Sequence, residues 1–325
     1  MDFALTPTHE MTRKTVHEFA EREVRPDSLR LDETQEYPMA WARRMAELGL
    51  LGVFVPEKYG GSGLDAVCYA ITIEELSWGD ASAGVIAAVN NGLVCEPILK
   101  FGTEAQKQAF LPKLASGAWM GAYCLTEPGS GSDAAAMRTT AKLEGDEWVL
   151  NGTKIFVTNA LHARLLVVYA RTGTEKHDIS AFLVPKPTKG LTDLKKENKM
   201  GIRASDTMTL GFEDARIPKE NLLGTRGKGF NIALATLDGG RVGIAAQAVG
   251  IGQAAYDEAA RYAKEREAFG RPIANFQAIQ FKLADMATEI DAARLLTYRV
   301  AWLHDQGVRH TYESSIAKLF ASEAA

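Results

Sequence analysis

The run Thr140-Ala141-Lys142-Leu143-Glu144-Gly145-Asp146-Glu147-Trp148-Val149-Leu150-Asn151-Gly152-Thr153-Lys154-Ile155-Phe156-Val157-Thr158 decides the fold, because in it the apolar spacing changes from helical to alternate. Gly145-Asp146 separates a strand over 140–143 from one over 148–150. Asn151-Gly152, the strongest hairpin signal in the chain, is expected to turn the latter back into a third strand over 154–158. Further β-rich runs at 164–169 and 179–184 are bounded by Gly, Thr or Pro. Residues 120–226 are therefore expected to form a central antiparallel β domain, a sandwich or barrel.

Outward from this stretch the pattern is helical on both sides. Over 1–119, Thr6 is an N-cap with Pro7 at the first helical position, and Val16, Phe19, Ala20 and Val24 follow at helical spacing. Helices are also expected over 39–50, near 68–78, and after a Thr103–Gln106 capping box. Over 227–325, small residues from Ala245 to Ala255 allow close helix approach. Phe276, Ile279, Leu283, Met286, Ile290, Ala293, Leu296, Val300 and Leu303 are expected to form the buried seam of a long bundle helix. Gly307 ends that helix and Thr311 is expected to cap the next, which reaches Ala325 without a stop signal. The fold class is multidomain α+β: an N-terminal helical domain, a central β-barrel and a C-terminal helical bundle.

Composition narrows the function. With 37 Lys and Arg against 41 Asp and Glu, the net charge of −4 leaves no basic field for a nucleic acid. The apolar stretches are expected to be too short to span a bilayer. Three cysteines, Cys68, Cys95 and Cys124, and a start without a signal-like pattern favour a reducing compartment, taken as cytoplasmic, with a mature mitochondrial matrix form as the alternative. The six histidines show no ligand-like spacing, so no metal is expected. The chemistry is carried instead by Thr126-Glu127-Pro128-Gly129-Ser130-Gly131-Ser132-Asp133, whose hydroxyls and glycine backbone suit a bulky anionic ligand. Phe156-Val157-Thr158-Asn159 adds an aromatic face and a hydroxyl at an edge of the β domain. A Gly/Ser loop alone would more often be a surface turn.

These motifs, with Pro56-Glu57-Lys58-Tyr59-Gly60-Gly61-Ser62-Gly63-Leu64-Asp65, Tyr123-Cys124-Leu125, Met200-Gly201-Ile202-Arg203, Leu237-Asp238-Gly239-Gly240-Arg241 and Arg266-Glu267-Ala268-Phe269-Gly270, resemble the acyl-CoA dehydrogenase family. The resemblance implies FAD, an acyl-CoA substrate, an electron-transfer flavoprotein as acceptor and a homotetramer. It implies α-proton removal by a carboxylate with β-hydride transfer to the flavin. By it, Tyr123, Cys124, Leu125 and Thr126 line the flavin edge, Ser132 lies near the pyrophosphates, Phe156 covers one face of the ring, Thr158 bonds near N5, and Gly131 and Val157 also belong to the cofactor-binding set. Arg266, Phe269 and Gln277 reach the FAD of a neighbouring subunit, while Ser132, Asp238 and Arg241 face CoA. No catalytic residue is identified. Some branches carry the base where this chain has Gly240, and the usual Tyr-Glu-Gly-Thr motif does not occur in these 325 residues. That glutamate is expected beyond Ala325, the C-terminal domain is expected to be incomplete, and 1–325 alone is expected to be inactive. A short- to medium-chain acyl group is implied, and an oxidase or a non-catalytic scaffold stays open.

Overall fold

Thr6 and His9 cap each other. The Thr6 hydroxyl accepts the His9 N–H and His9 Nδ1 accepts the Thr6 N–H, each at 3.2 Å, which opens α1 (Pro7–Phe19). The computed structural model describes residues 4–325, in two compact units. One contains the chain up to Leu29 with Asp65–Val85 and Arg241–Ala325, and the other Arg30–Leu64 with Ile86–Gly240.

Helices α2 (Ser28–Thr34) and α3 (Met39–Glu47) are short. The latter stops before Leu50 because Gly49 takes a left-handed turn. Asp65 caps α4 (Ala66–Gly79), whose residues from Ala66 to Ser77 are all buried. Next come α5 (Ala81–Ala88), a π-helical turn (Val89–Cys95) and α6 (Glu96–Phe101). Together, Ala81–Phe101 is long and apolar enough to cross a membrane, contrary to the length argument from sequence, but it is mostly buried and reads as a core helix. Asn90 and Asn91 anchor the π turn, accepting the Gly121 and Val53 N–H groups at 2.9 Å. The expected capping box opens α7 (Glu104–Ala115).

The central domain departs from a barrel. Strands β1 (Met120–Cys124), β2 (Thr140–Glu144), β3 (Glu147–Thr158), β4 (Ala163–Arg171), β5 (Ile179–Pro185), β6 (Leu191–Lys196), β7 (Thr207–Pro218) and β8 (Leu222–Leu223) form one open sheet in the order β6-β7-β3-β2-β4-β5-β8. It is mixed: β1 runs parallel to β4, because the chain leaves β1 through a loop and the β2–β3 hairpin before returning alongside it. Both faces are covered. Leu165, Val167 and Tyr169 of β4 enter one core, while Leu166, Val168 and Ala170 enter the other.

Asn151-Gly152 is not a turn. β3 runs through it, and the register with β7 shifts there, so Asn151 opposes the Glu213-Asp214 bulge. Asn151 donates to Asp214 Oδ1 at 3.0 Å and accepts the Asp214 N–H at 2.8 Å. Gly152, at φ 148°, is where β3 meets Thr139 too closely for a Cβ. The turn-forming residues serve a bulge because pairing with β7 holds the strand straight.

The long helix α8 (Gly229–Glu265) enters the first unit at Arg241, where α9 (Gln277–Asp305) packs against α4 and α10 (Thr311–Ala324), and α1 packs against α4. Gly250 lies so close to Glu74 and Trp78 that the expected tight approach is realised. The α9 seam is corrected in extent: Ile290, Ala293, Thr297, Val300 and Ala301 are buried, whereas Ile279, Leu283 and Met286 are half-covered. His310, not Thr311, occupies the cap position of α10.

Candidate functional site

β1 delivers Tyr123 and Cys124 to opposite faces of the sheet. Tyr123 packs against Tyr169 with ring centroids 5.1 Å apart, and among the described residues its buried hydroxyl has no hydrogen-bond partner. Cys124 is fully buried in the opposite core, where burial pushes its thiol up to about 12. Only its main chain is therefore available to a ligand.

The loop after β1 is tied at its base. Glu127 and Ser130 exchange main-chain hydrogen bonds of 2.9 and 3.1 Å, and Ser130 Oγ donates to the Asp133 carbonyl at 2.7 Å. Gly129 and Gly131 face open space, and Gly131, Ser132 and Asp133 are exposed. The Thr126 carbonyl accepts the Ile155 N–H at 2.9 Å, which sets the loop beside the last turn of β3. There β3 bulges against β7 between Lys154 and Val157, and Phe156 adopts φ 57°. The bulge leaves Phe156 63% exposed while Val157 stays in the core. Thr158 pairs with Thr207 and keeps a half-buried side chain. Among the described residues, none hydrogen-bonds the Thr126 or Thr158 hydroxyl. Two available hydroxyls, an exposed aromatic and an open glycine loop thus converge on one edge, a donor set that fits a planar, phosphate-bearing cofactor such as FAD.

Sequence reasoning named no role for the pair beneath this edge. Lys154, 0% exposed, donates to Glu127 Oε1 at 2.8 Å and to the Leu125 carbonyl at 2.9 Å. Glu127, 5% exposed, also accepts the Arg138 and Thr139 N–H groups at 2.6 and 3.0 Å. Burial opposes the Glu127 charge, but Lys154 and these donors outweigh it and hold the carboxyl below the usual range. Burial lowers the Lys154 pKa despite its partner. The signal was Glu127 inside the loop and Lys154 inside an otherwise alternating strand.

On α8, Asp238 and Arg241 are half-buried, and the buried Glu96 carboxylate, paired with Lys100, lies against Gly239. Separately, in the first unit, Arg266 precedes a two-residue hairpin of β9 (Glu267–Ala268) and β10 (Arg271–Pro272). Phe269 and Gly270 form its turn with left-handed φ of 52° and 74°, leaving Phe269 96% exposed. Gln277, the first residue of α9, is also exposed.

One cluster has the composition of a metal site: His9, Asp65 and Cys68 offer ligand atoms within 4.8 Å of one another. The distance in sequence between His9 and the other two hid it. Because His9 Nδ1 accepts the Thr6 N–H, its Nε2 carries the proton and donates to Asp65 at 2.8 Å, so the ring acts as a donor there.

Helical segments before and after a mixed sheet in the chain, with hydroxyls and an open Gly/Ser loop along one sheet edge, define a cofactor-binding α+β protein. The acyl-CoA dehydrogenase profiles match throughout: the N-terminal domain at residues 6–118, the middle domain at 122–215 and the C-terminal domain at 227–325. The chain belongs to the acyl-CoA dehydrogenase family. It is 54% identical over 323 residues to the mitochondrial short-chain specific acyl-CoA dehydrogenase of Bos taurus, covering 99% of this chain and 78% of that protein. Butyryl-CoA dehydrogenase from Megasphaera elsdenii superposes with a TM-score of 0.98 at 44% identity, over 100% of this chain and 86% of that one. A chain from work on the electron transferring flavoprotein of Acidaminococcus fermentans gives the same TM-score at 47% identity, with the same coverage.

Proposed function

We propose that this protein is an FAD-dependent dehydrogenase of short- to medium-chain acyl-CoA thioesters, forming the trans-2-enoyl-CoA. The observation that carries this reading is the pair of unengaged hydroxyls, Thr126 and Thr158, beside an exposed Phe156, in a chain 54% identical to a short-chain specific acyl-CoA dehydrogenase. Bound FAD supplies a hydride acceptor. The chain's own residues hold and orient. Thr126 and Thr158 hydrogen-bond the ring edge, Phe156 shields one face from water, and Gly131 and Ser132 receive pyrophosphate oxygens on an unobstructed backbone. Asp238 and Arg241 face the CoA moiety, and Arg266, Phe269 and Gln277 serve the cofactor of a neighbouring protomer. Electron-transfer flavoprotein as acceptor, a homotetramer and a cytoplasmic location are parts of the same proposal. The Acidaminococcus work supports the acceptor, and the exposed Phe269 supports the assembly.

The test is anaerobic bleaching of the flavin by butyryl-, octanoyl- and isovaleryl-CoA in the protein as its gene encodes it. Fastest bleaching by butyryl-CoA is expected. A clear preference for isovaleryl-CoA would sink the substrate reading, and the absence of bound flavin would sink the whole of it.

A further inference from the structure

We propose that Lys154 and Glu127 are positioning residues that keep the two flavin-facing edges in register; this rests on the FAD reading above. The edges are the end of β1, with Tyr123 and Thr126, and the end of β3, with Phe156 and Thr158. Lys154 lies two residues before Phe156 on β3, yet its ammonium grips the Leu125 carbonyl immediately before Thr126. Its second proton goes to Glu127 Oε1 and the third faces Met137 Sδ at 4.0 Å. Glu127 in turn spans both ends of the loop: its main chain closes on Ser130, and its carboxylate takes the Arg138 and Thr139 N–H groups. One buried ion pair therefore fixes the start of the loop, its end and the strand opposite. Among the described residues, the main-chain link between the Thr126 segment and the end of β3 is a single bond, from the Ile155 N–H to the Thr126 carbonyl.

A purely structural pair would matter for folding alone. A neutral pair of similar volume often preserves stability where a buried ion pair is removed as a unit, whereas removing one partner strands a buried charge. The Lys154→Met/Glu127→Gln double variant removes the Leu125 tether without stranding a charge. It is expected to keep wild-type far-UV circular dichroism while binding FAD roughly tenfold or more weakly, the loss that one charge-assisted hydrogen bond brings. Its flavin absorption band should also shift. A folded double variant with wild-type FAD affinity and band overturns the proposal. Glu127→Gln alone keeps an acceptor oxygen for only one of the two N–H donors, which bond different carboxylate oxygens, so it is read in protein with wild-type circular dichroism: a shifted, weakened flavin supports the role and wild-type values overturn it. Failure of the wild-type protein to take up FAD would instead overturn the flavin reading, and this proposal with it.

Discussion

Thr158 sits where a hydroxyl is available and its loss is structurally mild: the main chain is held by pairing with Thr207 and no described protein group hydrogen-bonds the side chain. Thr158→Val should leave stability within about 0.5 kcal/mol, as for most changes that break no contact. It should slow flavin reduction and alter the flavin spectrum, since one neutral hydrogen bond contributes about 0.5–1.5 kcal/mol. Stopped-flow reduction with unchanged rate and spectrum would remove Thr158 from the site. Glu127 makes a pH prediction. Its carboxyl titrates below the ordinary range in the folded chain, so its contribution is present above the unfolded value of about 4.3 and is lost as pH falls through the folded value. Glu127→Gln should lower the urea midpoint at about pH 7 and flatten its decline toward about pH 3.5. Parallel acid limbs for the two proteins would contradict the ion-pair account.

Two glycines of the β2–β3 region separate strain from crowding. Gly145, at φ 61°, has open space where a methyl group would sit, with nothing within 4 Å, so Gly145→Ala should cost about 1–2 kcal/mol, the left-handed penalty alone. Gly152, at φ 148°, would bring a Cβ within 2.7 Å of Thr139 Cα, so Gly152→Ala should cost more, at least about 2–3 kcal/mol. Chemical denaturation of both variants checks the order, and equal losses would mean that the β3 bulge relaxes freely. In the first unit, Glu74 accepts Arg294 Nε at 2.8 Å and the Tyr298 hydroxyl at 2.6 Å. Arg294→Met leaves that buried carboxylate without its cation and should cost about 3–5 kcal/mol. A loss below about 1 kcal/mol would show that Tyr298 alone satisfies it.

For the molecule as a whole, Phe269, Phe281 and Leu319 are exposed at 96%, 63% and 62%. In line with the proposed assembly, sedimentation should give a mass of several protomers, and Phe269→Ser should weaken FAD retention while leaving circular dichroism unchanged. A monomer that holds FAD as tightly after that substitution would rule out service to a neighbour.

The helical flanks were legible because capping and periodicity are local: Thr6 with Pro7, and Thr103 with Gln106, mark helix starts through their own neighbours. The Gly/Ser loop and the Phe156–Thr158 edge were legible as motifs for the same reason. Tertiary structure decided what distant pairing controls. Asn151-Gly152 became a bulge because β7 supplied Asp214, and the sheet opened into a mixed order because β1 found β4 in parallel. The exposed Phe156 and the buried Val157 parted at a bulge set by register with β7. Lys154 and Glu127 are 27 residues apart, and Thr6–His9 and Asp65 more than 50, so their partnerships arise only when strands and helices pack. Local sequence sets which residues prefer a helix, a strand or a turn, whereas burial and strand pairing choose among those preferences.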